Sequence, residues 1–321
     1  MGSNSGTSPY SGIHVPCVTW FKNTDTQEID WDLQRKHLEF LIGSGVEGVV
    51  LSGSNGEAVT LSSDEKLGLV RLTRKIAAEL GRPELVVTLG TTGQSTQDVV
   101  ANTRIAKQGA ANFVLTLVPS YFHYAMTSDA ICNFFEEVAS SSPVPVIIYS
   151  YPSIVAGLDL NSDMLSRLGK HPNIAGVKLT CGGTAKAVRI RAEFEPSQFC
   201  AITGQSDWLV PGMAVGATGA ITGVANVYPK SCARIYDLFQ AGKVEEATKL
   251  QLTLAQVEVA FINGGINGTK WVVAKYRGYD LDSVHCRRPY PKFSDTKHAW
   301  ITEVVSGLEE TEKSLGKRGS Q

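Results

Sequence analysis

The sequence predicts an α/β chain, a (β/α)8 TIM barrel with a C-terminal helical extension. Two observations carry this prediction. Eight short β-rich runs alternate with helical patterns from near residue 13 to about 240. Each run is apolar on both parities and rich in Val and Ile, as strands covered on both faces of a parallel sheet are. Periodicity does not show closure, so a doubly wound open sheet is the competing arrangement.

In order, the strand-like runs are 13–19, 48–52, 85–89, 113–117, 144–149, 174–178, 199–203 and 219–222. After the second run, Leu69, Leu72, Ile76 and Leu80 recur at 3-4-4 spacing, which is one helical face. Ser62 and Glu65 ahead of them form a capping box. Further helices are predicted at 32–42, 96–108, 128–140 and 185–195. The 207–215 pattern is interrupted by Pro211. Beyond Pro229 the pattern is helical only. Residues 231–241 supply the last barrel helix, and 244–261, 269–277 and 295–312 supply the extension. The expected organisation is a disordered tail over 1–11, a catalytic barrel over 12–241 and the extension over 242–321.

Composition narrows the function classes. Of 321 residues, 43% are hydrophobic and 19% charged, enough to bury a sizeable core. Thirty Lys and Arg stand against 31 Asp and Glu, which gives no field for nucleic acid or an anionic membrane. No apolar run approaches the ~20 residues of a membrane helix. Cys17, Cys132, Cys181, Cys200, Cys232 and Cys286 include no C-x-x-C pair, and the histidines no H-x-x-x-H. No metal site is expected, and the cysteines read as the reduced thiols of a cytosolic protein. Residues 1–11 have no apolar signal core and no arginine, so a cytoplasmic location is expected. Asn267-Gly268-Thr269, a formal sequon, is read as a turn.

Several motifs carry chemistry. Gly43-Ser44-Gly45-Val46-Glu47-Gly48 matches G-x-G-x-x-G, but it ends a helix and opens a strand. A dinucleotide fingerprint does the reverse, so this is a helix stop. Lys178 closes the sixth apolar run. It either snorkels past the strand end or is an imine-forming amine held neutral by desolvation. Gly53-Ser54-Asn55-Gly56-Glu57 follows the second run and suits a loop closing around a carboxylate, or an ordinary turn. Tyr149 ends the fifth run and could relay a proton or simply pack under a loop. Tyr121, after the fourth run, is equally open. All four features fall at the carboxyl ends of predicted strands, where one barrel mouth could gather them.

In that order and spacing, GSNGE, the strand-five Tyr with Pro152, GVK on strand six, and Gly219-Ala220-Ile221 with Ala225-Asn226 resemble the dihydrodipicolinate synthase/N-acetylneuraminate lyase superfamily. The resemblance covers nearly the whole chain. It implies a class I, Schiff-base, pyruvate-dependent barrel enzyme without cofactor, typically a homotetramer. Lys178 matches the imine lysine and Tyr149 the proton-relay tyrosine. Ser54 and Asn55 match the residues that hold the pyruvyl carboxylate. Tyr121 matches a tyrosine that in several members enters the neighbouring subunit's site. Gly204 and Ile221 match positions lining the pocket.

Two departures set the branch. Dihydrodipicolinate synthases carry an arginine two residues after the strand-five proline, where this chain has Ile154, and T-T where it has Ser54-Asn55. GSNGE, Gly157-Leu158-Asp159-Leu160 and Pro119-Ser120-Tyr121-Phe122 look more like eukaryotic 4-hydroxy-2-oxoglutarate aldolases. Lys178-Leu179-Thr180 echoes the K-x-T of sialate lyases, and fungal 2-keto-3-deoxy-sugar-acid aldolases belong to the same branch. Thr180 and Ser153 are candidates for meeting hydroxyls of the aldehyde half. The expected activity is cleavage of a 4-hydroxy-2-oxo acid to pyruvate and an aldehyde. Condensation of pyruvate with aspartate semialdehyde, a non-catalytic pyruvate-binding barrel and a metal-dependent class II aldolase are the alternatives.

Overall fold

The computed structural model describes Ser8, residues 10–281 and residues 284–316. In chain order it runs β1 Gly12–Pro16, α1 Trp31–Gly43, β2 Gly48–Leu51, α2 Ser63–Glu79, β3 Val86–Gly90, α3 Thr96–Gln108 and β4 Phe113–Leu117. It continues with α4 Ser128–Ser141, β5 Val146–Ser150, α5 Ser162–Gly169, β6 Ile174–Leu179, α6 Thr184–Glu193, β7 Cys200–Thr203, α7 Leu209–Ala214 and β8 Gly219–Ile221. Helices α8 Pro229–Gln240, α9 Val244–Arg277, α10 His298–Ser306 and α11 Glu309–Ser314 follow. The eight strands are parallel and close in sequence order, β8 pairing with β1 through Ile13↔Ala220. Closure removes both sheet edges and disposes of the open-sheet alternative.

The strands are buried on both faces, with inward side chains filling the barrel and outward ones meeting the helices. Local signals start the helices where expected. Asp30, Ser95 and Thr127 accept from backbone N–H groups of α1, α3 and α4. The capping box on α2 is formed, with Ser62 N donating to Glu65 and Glu65 N donating to Ser62 Oγ at 3.2 Å. The glycine-rich segment after α1 is a helix stop, with Gly45 at φ +86°.

Three expectations change. The predicted pattern has no helix between the fifth and sixth strands; α5 is there, only eight residues long, capped by Asn161 and buried through Met164, Leu165 and Leu168. Residues 244–277 form α9 as two helical arms meeting at a kink, as the sequence pattern has it, because Gly265 adopts φ 60°, ψ −159°, open to glycine alone. Asn267-Gly268-Thr269 therefore lies in a helix, not a turn. The 295–312 pattern divides into a 3-10 turn, α10 and α11, broken near Gly307.

Most of the expected tail over 1–11 lies outside the described residues. Tyr10 does not behave as tail: it is fully buried and stacks on His14 at 3.9 Å. Among the described residues no helix is long and apolar enough to cross a membrane.

Candidate active site

The site begins with a register. Tyr149 on β5 pairs with Lys178 on β6, so both side chains share one face, and Lys178 Nζ sits 4.1 Å from the Tyr149 ring centre. Both are nearly fully buried, 4% and 5% exposed. Burial lowers the Lys178 pKa to about 7, against a smaller upward pull from Glu258. Burial also pushes the Tyr149 hydroxyl up to about 12, while the Ser54 and Thr180 hydroxyls oppose the rise. Four of the sequence candidates thus meet at the carboxyl end of the barrel. The snorkelling reading of Lys178 fails, since the ammonium does not reach bulk water.

The loop over residues 53–57 is fixed by its own backbone and by the extension. Glu57 N donates to Ser54 O at 3.1 Å and Ala58 N to Gly53 O at 3.1 Å. Glu57, at φ 58°, turns its carboxylate inward to Lys270 on α9, 2.8 Å away, both side chains almost fully buried. Its second oxygen accepts from Arg287 N at 2.8 Å, and Lys270 Nζ also donates to His285 O at 2.6 Å. Asn55 lies against Gly223, just past β8.

Gly204 follows β7 and donates its N–H to Leu179 O at 3.0 Å. A Cβ there would overlap Thr180 Oγ1, so only glycine lets the two loops close. The Thr180, Thr203 and Thr222 hydroxyls at the ends of β6, β7 and β8 are buried and make no hydrogen bond of standard geometry within the protein. Ile221 is fully buried on β8. Ser153 and Ile154 lie exposed on the short 3-10 turn after β5. A cavity of about 460 Å³ opens on Ser54 and Ile154, and its described lining contains no Lys, Arg or His. Tyr121 stands apart, 74% exposed, in an aromatic patch with Phe122 and Tyr124. Among the described residues no group of three His, Cys, Asp or Glu side chains is placed to hold a metal.

The model of the dihydrodipicolinate synthetase family matches residues 9–307. The chain belongs to that family. A member from Emericella nidulans, named "probable 4-hydroxy-2-oxoglutarate aldolase, mitochondrial", is 38% identical over 95% of this chain and 96% of its own. An L-threo-3-deoxy-hexylosonate aldolase of Hypocrea jecorina is 33% identical over 95% and 98%. A crystal structure of a dihydrodipicolinate synthase family protein from Coccidioides immitis superposes with a TM-score of 0.86 at 34% identity, covering 96% of this chain and 99% of that one.

The mitochondrial name overturns the cytoplasmic expectation. Unpaired cysteines separate reducing from oxidising compartments, not one reducing compartment from another. The cytoplasmic expectation rested on the composition of residues 1–11 alone.

The family motifs also leave functional neighbours unread. Glu258 on α9 is 4% exposed and accepts from Ser206 N at 3.0 Å and from Ser206 Oγ. Gln251 Nε2 donates to Ser206 O at 2.6 Å and holds the same loop from one helical turn pair earlier. Burial raises the Glu258 pKa to about 7, with the Asp207 carboxylate adding to the rise. The missed signal was in α9: Gln251 and Glu258 interrupt the apolar stripe of Leu254, Val257 and Phe261.

Proposed function

We propose that this chain is a class I aldolase that cleaves a 4-hydroxy-2-oxo acid to pyruvate and an aldehyde through an imine on Lys178. The observation that carries the reading is the buried Lys178–Tyr149 pair, a nucleophilic amine and a proton carrier in strand register. The aldolase names of the two relatives support it.

The chemistry follows from the placement. Near neutrality a large share of Lys178 is free amine, which attacks the 2-oxo carbon and expels water as the protonated imine forms. That imine is an electron sink for the C3–C4 bond, so the reading needs no external cofactor. The Tyr149 phenol, still protonated at neutrality, relays the proton: it accepts from the C4 hydroxyl while handing its own on through the Ser54 hydroxyl as the bond breaks, and the same chain returns a proton to the enamine. The enamine is then protonated and water releases pyruvate. Ser54 and Asn55 hold the carboxylate, Gly204 and Ile221 line the pocket, and Thr180 and Ser153 face the aldehyde half. The assembly is a homotetramer in which Tyr121 reaches a neighbouring subunit's site, consistent with its exposure here. The relative's name supports a mitochondrial setting.

Within this class the aldehyde half is uncharged or hydroxylated in preference to aspartate semialdehyde. A carboxylate leaving water needs a charged hydrogen bond worth about 1.5–3 kcal/mol. Ile154 offers none, and the cavity beside it has no cation among its described lining residues. Buried threonine hydroxyls at the strand ends suit sugar-acid hydroxyls. Glyoxylate carries a carboxylate too, so 4-hydroxy-2-oxoglutarate requires a cation from another subunit or loop. The test is kcat/KM on 4-hydroxy-2-oxoglutarate, a 2-keto-3-deoxy-hexonate and the pyruvate plus aspartate semialdehyde pair. Ring formation faster than both cleavages would reject the assignment.

A further inference from the structure

We propose that Glu258 is a positioning residue of this reaction: its carboxylate is the internal counter-charge of the imine nitrogen on Lys178. The inference rests on the Schiff-base reading above. Lys178 has no carboxylate within ion-pair distance among the described residues, yet it must carry a positive charge at each imine stage while buried. A buried cation without a counter-charge is strongly disfavoured.

The fold places one such group on the neighbouring strand end. Lys178 pairs with Ile202, Gly204 N donates to Leu179 O, and two residues later Ser206 binds the Glu258 carboxylate through its N–H and hydroxyl. Gln251 fixes the Ser206 carbonyl, so α9 holds the acid over the end of β7 rather than letting it reach solvent. Glu258 itself has no cation within ion-pair distance among the described residues, so its charge is not already neutralised. The titratable groups that couple electrostatically to it are Lys178 from β6, Asp207 from the loop before α7, Tyr151 from the turn after β5 and the Cys232 thiol from α8. Lys178 is the cation in that set.

The balance is simple. Amine plus ketone gives iminium plus water and takes up one proton. Glu258, raised to about 7, is partly protonated near neutrality and releases a proton as the iminium appears. The net charge buried in the site is then unchanged across imine formation.

The test is the pH dependence of imine formation with pyruvate, read by borohydride trapping and intact mass on the whole chain. Glu258→Gln keeps an acceptor for Ser206 and removes the charge. Ammonium and iminium are both cations, so the loss falls where free amine is the starting form, above about pH 7. The expected result is an alkaline limb moved down by about one pH unit, a roughly tenfold weaker imine at high pH. Ser206→Ala loosens the same clamp and removes one of the groups that hold the Glu258 pKa down, but the carboxylate remains and still ionises at higher pH, so the limb moves less than in E258Q. An unmoved limb in E258Q, or an equal displacement in S206A, overturns the proposal. Absence of any trapping in the unmodified enzyme would instead contradict the Schiff-base reading itself. Should E258Q not fold, infrared difference spectra of the unmodified enzyme at neutral pH replace it. Pyruvate is expected to bleach a protonated-carboxyl band, and a spectrum without that loss overturns the proposal.

Discussion

Lys178 Nζ rests 4.1 Å from the centre of the Tyr149 ring, and the two residues are direct partners in the β5–β6 ladder. The contact is a cation–π geometry, which favours the ammonium. Burial acts in the opposite direction and wins, holding the lysine pKa near 7. The same register carries the tyrosine hydroxyl past the amine toward Ser54 and Thr180.

Tyr149→Phe keeps the ring over Lys178 and removes the proton carrier. Turnover is expected to fall about 10²–10⁴-fold while pyruvate imine formation persists. Steady-state cleavage kinetics beside borohydride trapping check this. The loss should sit in kcat more than in KM, because the proton moves in the transition state.

The rate of imine formation should rise with pH through an apparent pKa near 7. The folded lysine is shifted down from its ordinary 10.5, so free amine accumulates above about pH 7 and is scarce below it. Single-turnover trapping between about pH 5.5 and 8.5, roughly one and a half units either side of that pKa, reads the limb directly. A rate still climbing steeply at the alkaline end would mean the amine is not desolvated.

Lys270 and Glu57 join the extension to the loop over residues 53–57 in the interior. Lys270→Met leaves Glu57 buried without its cation and should cost about 3–5 kcal/mol of unfolding free energy. Adding Glu57→Gln should recover a large part of that loss. Urea denaturation of the single and double variants measures both steps.

Ile154→Arg puts a cation at the rim of the cavity that opens on Ser54. Cleavage or condensation involving a carboxylated aldehyde should gain about 10- to 100-fold in kcat/KM, the worth of one charged hydrogen bond. Hydroxylated aldehydes should gain nothing. Parallel assays with both aldehyde classes decide it.

The parts legible in sequence share one property: each breaks a local pattern. A lysine in an apolar strand is conspicuous because its burial is costly, so Lys178 stands out within six residues. Ser62 and Glu65 announce a helix start by spacing alone. Glu258 breaks a pattern too, but on a helix 80 residues later, and nothing local says that its stripe faces β7. The Glu57–Lys270 pair is invisible for the same reason, since its meaning lies in a contact between distant segments. Helix α5 escaped notice because eight residues hold too few turns for periodicity to show. The break in α9 was legible as the gap between the 244–261 and 269–277 patterns, where Gly265 supplies the bend.

The most direct measurement is the site of imine formation. The enzyme is incubated with pyruvate, reduced with borohydride, digested and mapped by mass spectrometry. The account predicts one reduced pyruvyl adduct per chain, on the peptide containing Lys178, and none in Lys178→Ala. An adduct on another lysine, or turnover undiminished in Lys178→Ala, would contradict it.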